Sequence, residues 1–391
     1  STPTLPRIEG RDSFRGQAFH TARWPKQPVD FAGKRVAVIG TGATGIQTIQ
    51  TIASEVGHLT VFQRTANWAA PLHNGKIDAE MQAKIKASYP EIFARCQETF
   101  ACFVHTPDPR GAFEVSDAER EAHYEKLYGE RGFGIWQGNF RDILIDRAAN
   151  ATISDFVARK IRERVRDPKV AEKLIPKNHG FGTRRLPLET FYYEVYNRDN
   201  VELVDIAETP IERITAEGIK TSEKEYEFDI IIYATGFDAI TGSFDRIDFR
   251  GAGGVRLRDK WKSGPETYLG LMVEGFPNLI MVMGPHTALG NIPRSIEYSV
   301  DWVTGLIRFA RDNGLTRLEA APEGVKDWTE HVKALGAGLL SNEVDSWMTG
   351  INRNVEGKTT RIVARYSGSA PAYRAWCDEV AAKGYRELEL A

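Results

Sequence analysis

The chain has 391 residues with 51 Lys and Arg against 53 Asp and Glu, so no basic excess points to nucleic acid or an anionic membrane surface. Its 42% hydrophobic and 27% charged residues are those of a globular protein of two or three domains, and no apolar run approaches the roughly 18 residues that span a bilayer. Cys96, Cys102 and Cys377 are few, scattered and odd in number, which fits reduced core thiols in a cytoplasmic protein and neither a disulfide framework nor a zinc site.

Residues 1–33 are rich in Pro, Gly and charge and read as an extended lead-in without an apolar signal core. Within them, Phe14 to Pro25 carries aromatic residues that local composition assigns to packing on a neighbouring domain. Lys34 then opens a βαβ pattern. Val36, Val38 and Ile39 form a strand, Gly40, Gly42 and Gly45 follow at G-x-G-x-x-G spacing, and a helix runs from about Ala43 to Val56 with Ile46, Ile49 and Ala53 on one face. Leu59–Phe62 is the second strand. Strand, glycine loop and helix in this order make a dinucleotide site, with free N–H groups and a partial positive charge at the helix N-terminus. An NAD site would place Asp or Glu after the second strand. Gln63, Arg64 and Thr65 stand there instead, so the unit reads as an NADPH site, with Arg64 on the 2′-phosphate.

From about Asp78 to Val165 the pattern is helical. Ser116-Asp-Ala-Glu119 marks an N-cap, and Ile153, Phe156, Val157 and Ile161 share a face, so this stretch reads as a helical insertion whose Tyr and Phe residues are core. Lys177–Leu188 breaks the pattern with two glycines and the pair Arg184-Arg185. Local sequence leaves an anion site and a solvated basic turn equally open. Val201–Asp205 reads as a strand, Ile211–Ile214 with Gly218–Thr221 as a hairpin turning at Glu217-Gly218, and Asp229–Tyr233 as a buried strand ending in Ala234-Thr235-Gly236. Small residues at such a strand end commonly face a ligand. Beyond 238, short strands (Leu279–Met283) precede a helix from about Arg294 to Asp312. Ile296, Val300, Val303, Ile307 and Ala310 line one face of it, and Asn313-Gly314 ends it. The Pro285–Asn291 loop lies where ligand contacts are common.

With these pieces placed, the whole chain resembles the Baeyer–Villiger monooxygenases. Phe14, Gly16, His20, Trp24 and Pro25 match the family fingerprint F-x-G-x-x-x-H-x-x-x-W-P/D at every fixed position, just ahead of the glycine loop. Phe62–Thr65, Phe181–Arg185, Ala234–Asp238 and Ser346–Gly350 match further family segments in order. The resemblance implies an α/β fold: a doubly wound Rossmann-type NADPH domain (34–237, helical insertion about 78–165) and the C-terminal part of a discontinuous FAD and substrate domain (238–391). Residues 1–33 would link them and carry the fingerprint. It implies that NADPH and FAD together convert a ketone and O₂ to an ester or lactone through a C4a-peroxyflavin. Gly40, Thr41, Gly42, Ala43, Thr44, Gly45, Gln47, Ala234 and Thr235 would cradle NADPH, and Arg64, Thr65 and Arg184 would hold its 2′-phosphate. Trp347 would meet the nicotinamide side and Arg185 would be the active-site arginine. His286, Thr287 and Leu289 would border flavin and substrate, and His20 would act as a hinge residue, not a metal ligand.

Two departures stand out. The family's first FAD-binding loop is missing, since no second G-x-G-x-x-G occurs. The expectation is therefore a chain lacking that N-terminal segment, with an apolar face of several hundred Å² left uncovered, and with the segment supplied separately or cleaved away. The Gly284–Asn291 loop is also about two residues shorter than in the cyclohexanone and phenylacetone enzymes, and Met348 stands where Tyr is common, which suits bulky or cyclic ketones. The rival readings are an N- or S-oxygenating flavin monooxygenase, against which Trp24-Pro25 speaks, and a non-catalytic NADPH-binding fragment.

Overall fold

The computed structural model describes residues 2–288 and 290–391. Its centre is a parallel five-stranded sheet of β1 (Gln17–His20), β2 (Arg35–Ile39), β3 (His58–Gln63), β4 (Val201–Asp205) and β5 (Ile230–Tyr233), in the order β1-β5-β2-β3-β4. Val36, Val38, Leu59, Val61, Ile231 and Ile232 are fully buried, as expected of strands covered on both faces. Each such side chain contributes about 1.5–3 kcal/mol by leaving water. Strand order reverses between β2 and β5, and a crevice opens there outside their carboxyl ends.

Helix α1 (Ala43–Ile52) and the helical insertion cover one face of this sheet. The insertion includes α2 (Asp117–Gly129) and α3 (Arg147–Arg164). Ser116 caps α2 in a reciprocal box with Glu119, as its sequence implies. Ile211–Ile214 and Gly218–Thr221 form the expected antiparallel hairpin on the other face, extended by an unforeseen third strand, Glu225–Glu227. The C-terminal part has its own core, built by α4 (Ile292–Asp312), α5 (Pro322–Gly336) and α6 (Ala370–Ala382) around Trp302, Leu306, Trp328, Tyr373 and Cys377. The three cysteines are buried free thiols.

Four expectations change. Gln17–His20 belongs to the sheet as its edge strand, because its backbone finds the free side of β5. Leu279–Met283 is not a strand: Met281 N–H bonds a single partner, Leu271 O, and Met283 turns to φ 60°. Without a neighbouring ladder, strand composition alone cannot hold an extended segment. The aromatic residues of the insertion divide. Tyr124, Phe140 and Phe156 are core, whereas Tyr89, Phe93, Phe100 and Phe113 are exposed on the peripheral helices and loops.

The fourth concerns α4, whose helical period is as read but whose apolar line is split, Ala310 and Val303 packing on the core and the rest not. Ser295, Ser299, Trp302, Leu306 and Ala310 face the core, and Trp302 Nε1–H donates to Cys377 O at 2.8 Å. The larger Trp side chain and its bonded N–H win the interior. Ile292, Ile296, Val300 and Ile307 are left as a stripe, each 37–52% exposed.

Candidate active site

The crevice is assembled by backbone contacts that only glycine permits. Gly40 sits at φ 108° with the place of a Cβ 2.5 Å from Ala234 O, so the loop can lie directly on the end of β5. Gly45 has the place of its Cβ 2.2 Å from Gly40 O, which lets α1 pack tightly on the strand. At Gly42 nothing lies within 4 Å and φ is −74°, so its hydrogen faces open space at the N-cap of α1. No side chain caps that helix, leaving the first-turn N–H groups of Ala43 and Thr44 for an anion. Thr41 Oγ1–H donates to Thr65 O at 3.0 Å and ties the loop to the end of β3. Gln47 lies exposed one turn further along α1. Thr235 is engaged differently, its hydroxyl donating to Thr4 O at 2.5 Å.

These contacts separate the roles of two glycines. Gly45→Ala is expected to destabilise the protein by about 1–3 kcal/mol through overpacking. Gly42→Ala should fold within about 1 kcal/mol of the parent yet weaken NADPH binding about tenfold or more by blocking the approach of the pyrophosphate. Thermal melting beside NADPH titration checks both; equal melting losses would refute the separation.

Arg64 and Arg184, 120 positions apart, meet at this crevice with Arg353 as a third guanidinium. Surrounding protein, then the Arg353 charge, lowers the Arg64 pKa; burial, then Arg64, lowers that of Arg184. Asp345 offers Arg184 only its carbonyl oxygen, at 2.9 Å, because its carboxylate pairs with Arg361 at 2.8 Å. Arg184 Nε is buried without a partner. Clustered cations with no carboxylate bonded to them, one with an orphaned donor, are what a phosphate dianion requires. The residues present therefore fit NADPH. Arg353 escaped the sequence reading. Its neighbours place it: Asn352 Nδ2–H donates to Phe237 O at 3.0 Å and Asn354 Nδ2–H to Thr235 O at 3.2 Å, pinning the loop to the end of β5. A lone Arg between two Asn residues gives no local signal for this.

Arg185 points elsewhere. Its guanidinium lies 4.9 Å from the Phe133 ring and 5.6 Å from the Trp136 ring, bonds Leu186 O, and has its pKa lowered by burial. Trp136 Nε1–H beside it is buried and unpartnered. This second group of unfilled donors can receive a developing oxyanion. Trp347, 42% exposed, lines a cleft with Phe237, Asp238, Thr241 and Lys358.

In the fingerprint, the Gly16 hydrogen is required by Asp229 O, 2.5 Å from the place of a Cβ, and Phe14 packs against the hairpin core. His20 is buried. Its Nε2–H donates to Gly236 O at 3.0 Å and Nδ1 accepts from Ala22 N–H at 3.0 Å, which ties β1 to the end of β5. Trp24 stands edge-on to Phe19 at 4.9 Å, and Pro25 follows it in the turn.

The 285–291 loop turns its polar groups inward. His286 Nε2–H donates to Val363 O at 2.9 Å and Thr287 Oγ1–H to Gly284 O at 2.8 Å, both residues 1% exposed. They shape the loop instead of offering polar groups to a ligand, and Leu289 lies outside the described residues. Burial lowers the His286 pKa from 6.5 to about 4. An unfolded chain would take up this proton first as pH falls below about 6.5. Its contribution to stability is thus complete above that pH and lost towards pH 4, at about 1.4 kcal/mol per pH unit. Urea titrations across pH 7 to 4 should show this acid limb, less steep by one proton in His286→Gln. An unchanged slope would assign the limb to other groups.

A parallel sheet with its glycine loop at the switch point, and guanidiniums gathered beside it, define a dinucleotide-binding protein with a charge that suits NADPH. No family model matches the chain. It is 46% identical over its full length to the 2-oxo-Delta(3)-4,5,5-trimethylcyclopentenylacetyl-CoA monooxygenase of Pseudomonas putida, covering 73% of that protein. It is 41% identical over its full length to the cyclopentanone 1,2-monooxygenase of Comamonas sp. (strain NCIMB 9872), covering 71% of it. A crystal structure of OTEMO in complex with FAD and NADP matches with a TM-score of 0.96 at 47% identity, over 100% of this chain and 74% of that one. The chain belongs to the Baeyer–Villiger monooxygenases.

Proposed function

We propose that the protein oxidises a cyclic ketone to a lactone with NADPH, a proton and O₂, releasing NADP⁺ and water. The observation that carries this reading is the pairing of an NADPH crevice with a second, separate set of unfilled donors at Arg185 and Trp136. Flavin supplies the oxygen-activating chemistry and NADPH the reducing equivalents. The chain's own residues bind and orient. Arg64, Arg184 and Arg353 take the 2′-phosphate, α1 takes the pyrophosphate, and Arg185 stabilises negative charge on the ketone oxygen as the carbonyl is attacked. The short Gly284–Asn291 loop and Met348 favour bulky rings. The reduced thiols favour a cytoplasmic location, and no helix among the described residues is long and apolar enough to cross a membrane.

The residues present do not fit the flavin diphosphate, because the single G-x-G-x-x-G is the one on α1. Polypeptide outside these residues would bring that loop and cover the apolar stripe of α4. The ladderless Leu279–Met283 segment and the exposure of Ile292, Ile296, Val300 and Ile307 support such a contact.

The test supplies cyclopentanone, NADPH and ¹⁸O₂ to the protein reconstituted with FAD and the polypeptide that brings the flavin diphosphate loop. δ-Valerolactone with ¹⁸O in the ring is expected. With thioanisole supplied beside the ketone, its sulfoxide as the dominant product would favour the N- or S-oxygenating alternative, and NADPH binding without turnover would favour a binding module.

A further inference from the structure

Among the described residues, Arg365 is a half-buried guanidinium without an anionic partner. Arg365 has five N–H donors and uses few of them. Nη2–H donates to Ser341 Oγ, Nη1 has only Met348 Sδ at 3.9 Å, and Nε is buried with no partner. Burial lowers its pKa.

Its position ties it to the proposed reaction site. Residues 362–366 run between two loops: Ile362 N–H donates to Thr349 O at 3.0 Å, and His286 N–H donates to Ala364 O at 3.3 Å. Ala288 and Tyr366 form a parallel bridge. Ala364 and Tyr366 are buried, and the Arg365 side chain reaches Met348, next to Trp347. Ser341 follows Leu340, whose N–H donates to Leu144 O at 3.0 Å. Leu144 in turn flanks Gly182 together with Trp136, which lies beside Arg185. Arg185 and Arg365 therefore lie on the two sides of the Leu144–Leu340 junction.

We propose that Arg365 is a specificity residue that receives a carboxylate carried by the ketone substrate. A half-buried guanidinium with empty donors gains a charge-assisted, two-point contact from a carboxylate. A neutral ester offers it only a weak acceptor. The assignment rests on the ketone-oxygenating reading given above.

The experiment compares 2-oxocyclopentaneacetate with its methyl ester in the protein reconstituted with FAD and the polypeptide that brings the flavin diphosphate loop, and in its Arg365→Met and Arg365→Lys variants. The acid-to-ester ratio of kcat/KM should be about 10–100 in the parent, collapse to about one in Arg365→Met through KM, and recover in part in Arg365→Lys. The keto acid should also raise the melting temperature of the parent and not that of Arg365→Met. A ratio near one in the parent, or one that Arg365→Met leaves unaltered, overturns the proposal even if the ester is oxidised. If neither compound is oxidised, the ketone reading fails, and the melting shift alone decides whether Arg365 binds the acid.

Discussion

Replacing Arg185 with alanine is expected to lower kcat for ketone oxygenation about 10²–10³-fold, the loss of about 2.7–4 kcal/mol seen when one donor to an oxyanion is removed. The size of the effect follows from the surroundings. The guanidinium is held over Phe133 and Trp136, the protein around it lowers its pKa although the residue keeps an exposed edge, and no carboxylate is bonded to it. Charge that develops in the transition state meets a fixed cation instead of reorganising water. Arg185→Lys should recover only part of the loss, since an ammonium on a flexible stem lacks the planar fork that stacks on the two rings. NADPH affinity should move less than about threefold, because the phosphate-binding cluster is built from other residues. Steady-state lactone formation beside NADPH titration is the measurement. A kcat within about tenfold of the parent would reduce Arg185 to a stacked surface cation.

Arg64→Ala and Arg184→Ala should each weaken NADPH binding about 10–100-fold, the worth of a charge-assisted contact of about 1.5–3 kcal/mol, while NADH binding stays nearly constant. The double variant should keep only the preference for NADPH that Arg353 supplies. Without nucleotide the sign reverses. Arg64 and Arg353 both depress the Arg184 pKa by repulsion, so removing one cation relieves the others and raises the melting temperature of the free protein. Opposite changes in free stability and in NADPH affinity are hard to obtain from general damage. Parallel losses of NADPH and NADH binding would show that the cluster does not read the 2′-phosphate.

Much of this fold was legible in the sequence because its signals are local. The glycine spacing, the Ser116–Glu119 capping box and the 211–221 hairpin each lie within a few residues. Elsewhere the reading depended on partners far along the chain. Gln17–His20 resembles a loop until β5 offers an edge, and Leu279–Met283 resembles a strand until no ladder is found. Helix α4 has apolar residues on two sides, and only the packing of Trp302 against α6 shows which is interior. His286 and Thr287 occupy a ligand-rich kind of loop, yet their polar atoms close on Val363 and Gly284.

By itself the sequence determined the nucleotide. A glycine loop between strand and helix, followed by Arg64 where a carboxylate would mark NAD, names a 2′-phosphate within 32 residues. Tertiary structure alone showed that Arg353 joins Arg64 and Arg184. Arg64, Arg184 and Arg353 converge across nearly 300 residues, whereas Arg185, adjacent to Arg184 in sequence, stacks on Phe133 and Trp136. Neighbouring side chains diverge because each follows its own backbone direction and packing. The charge at a site is a sum over space, which position in the chain does not record.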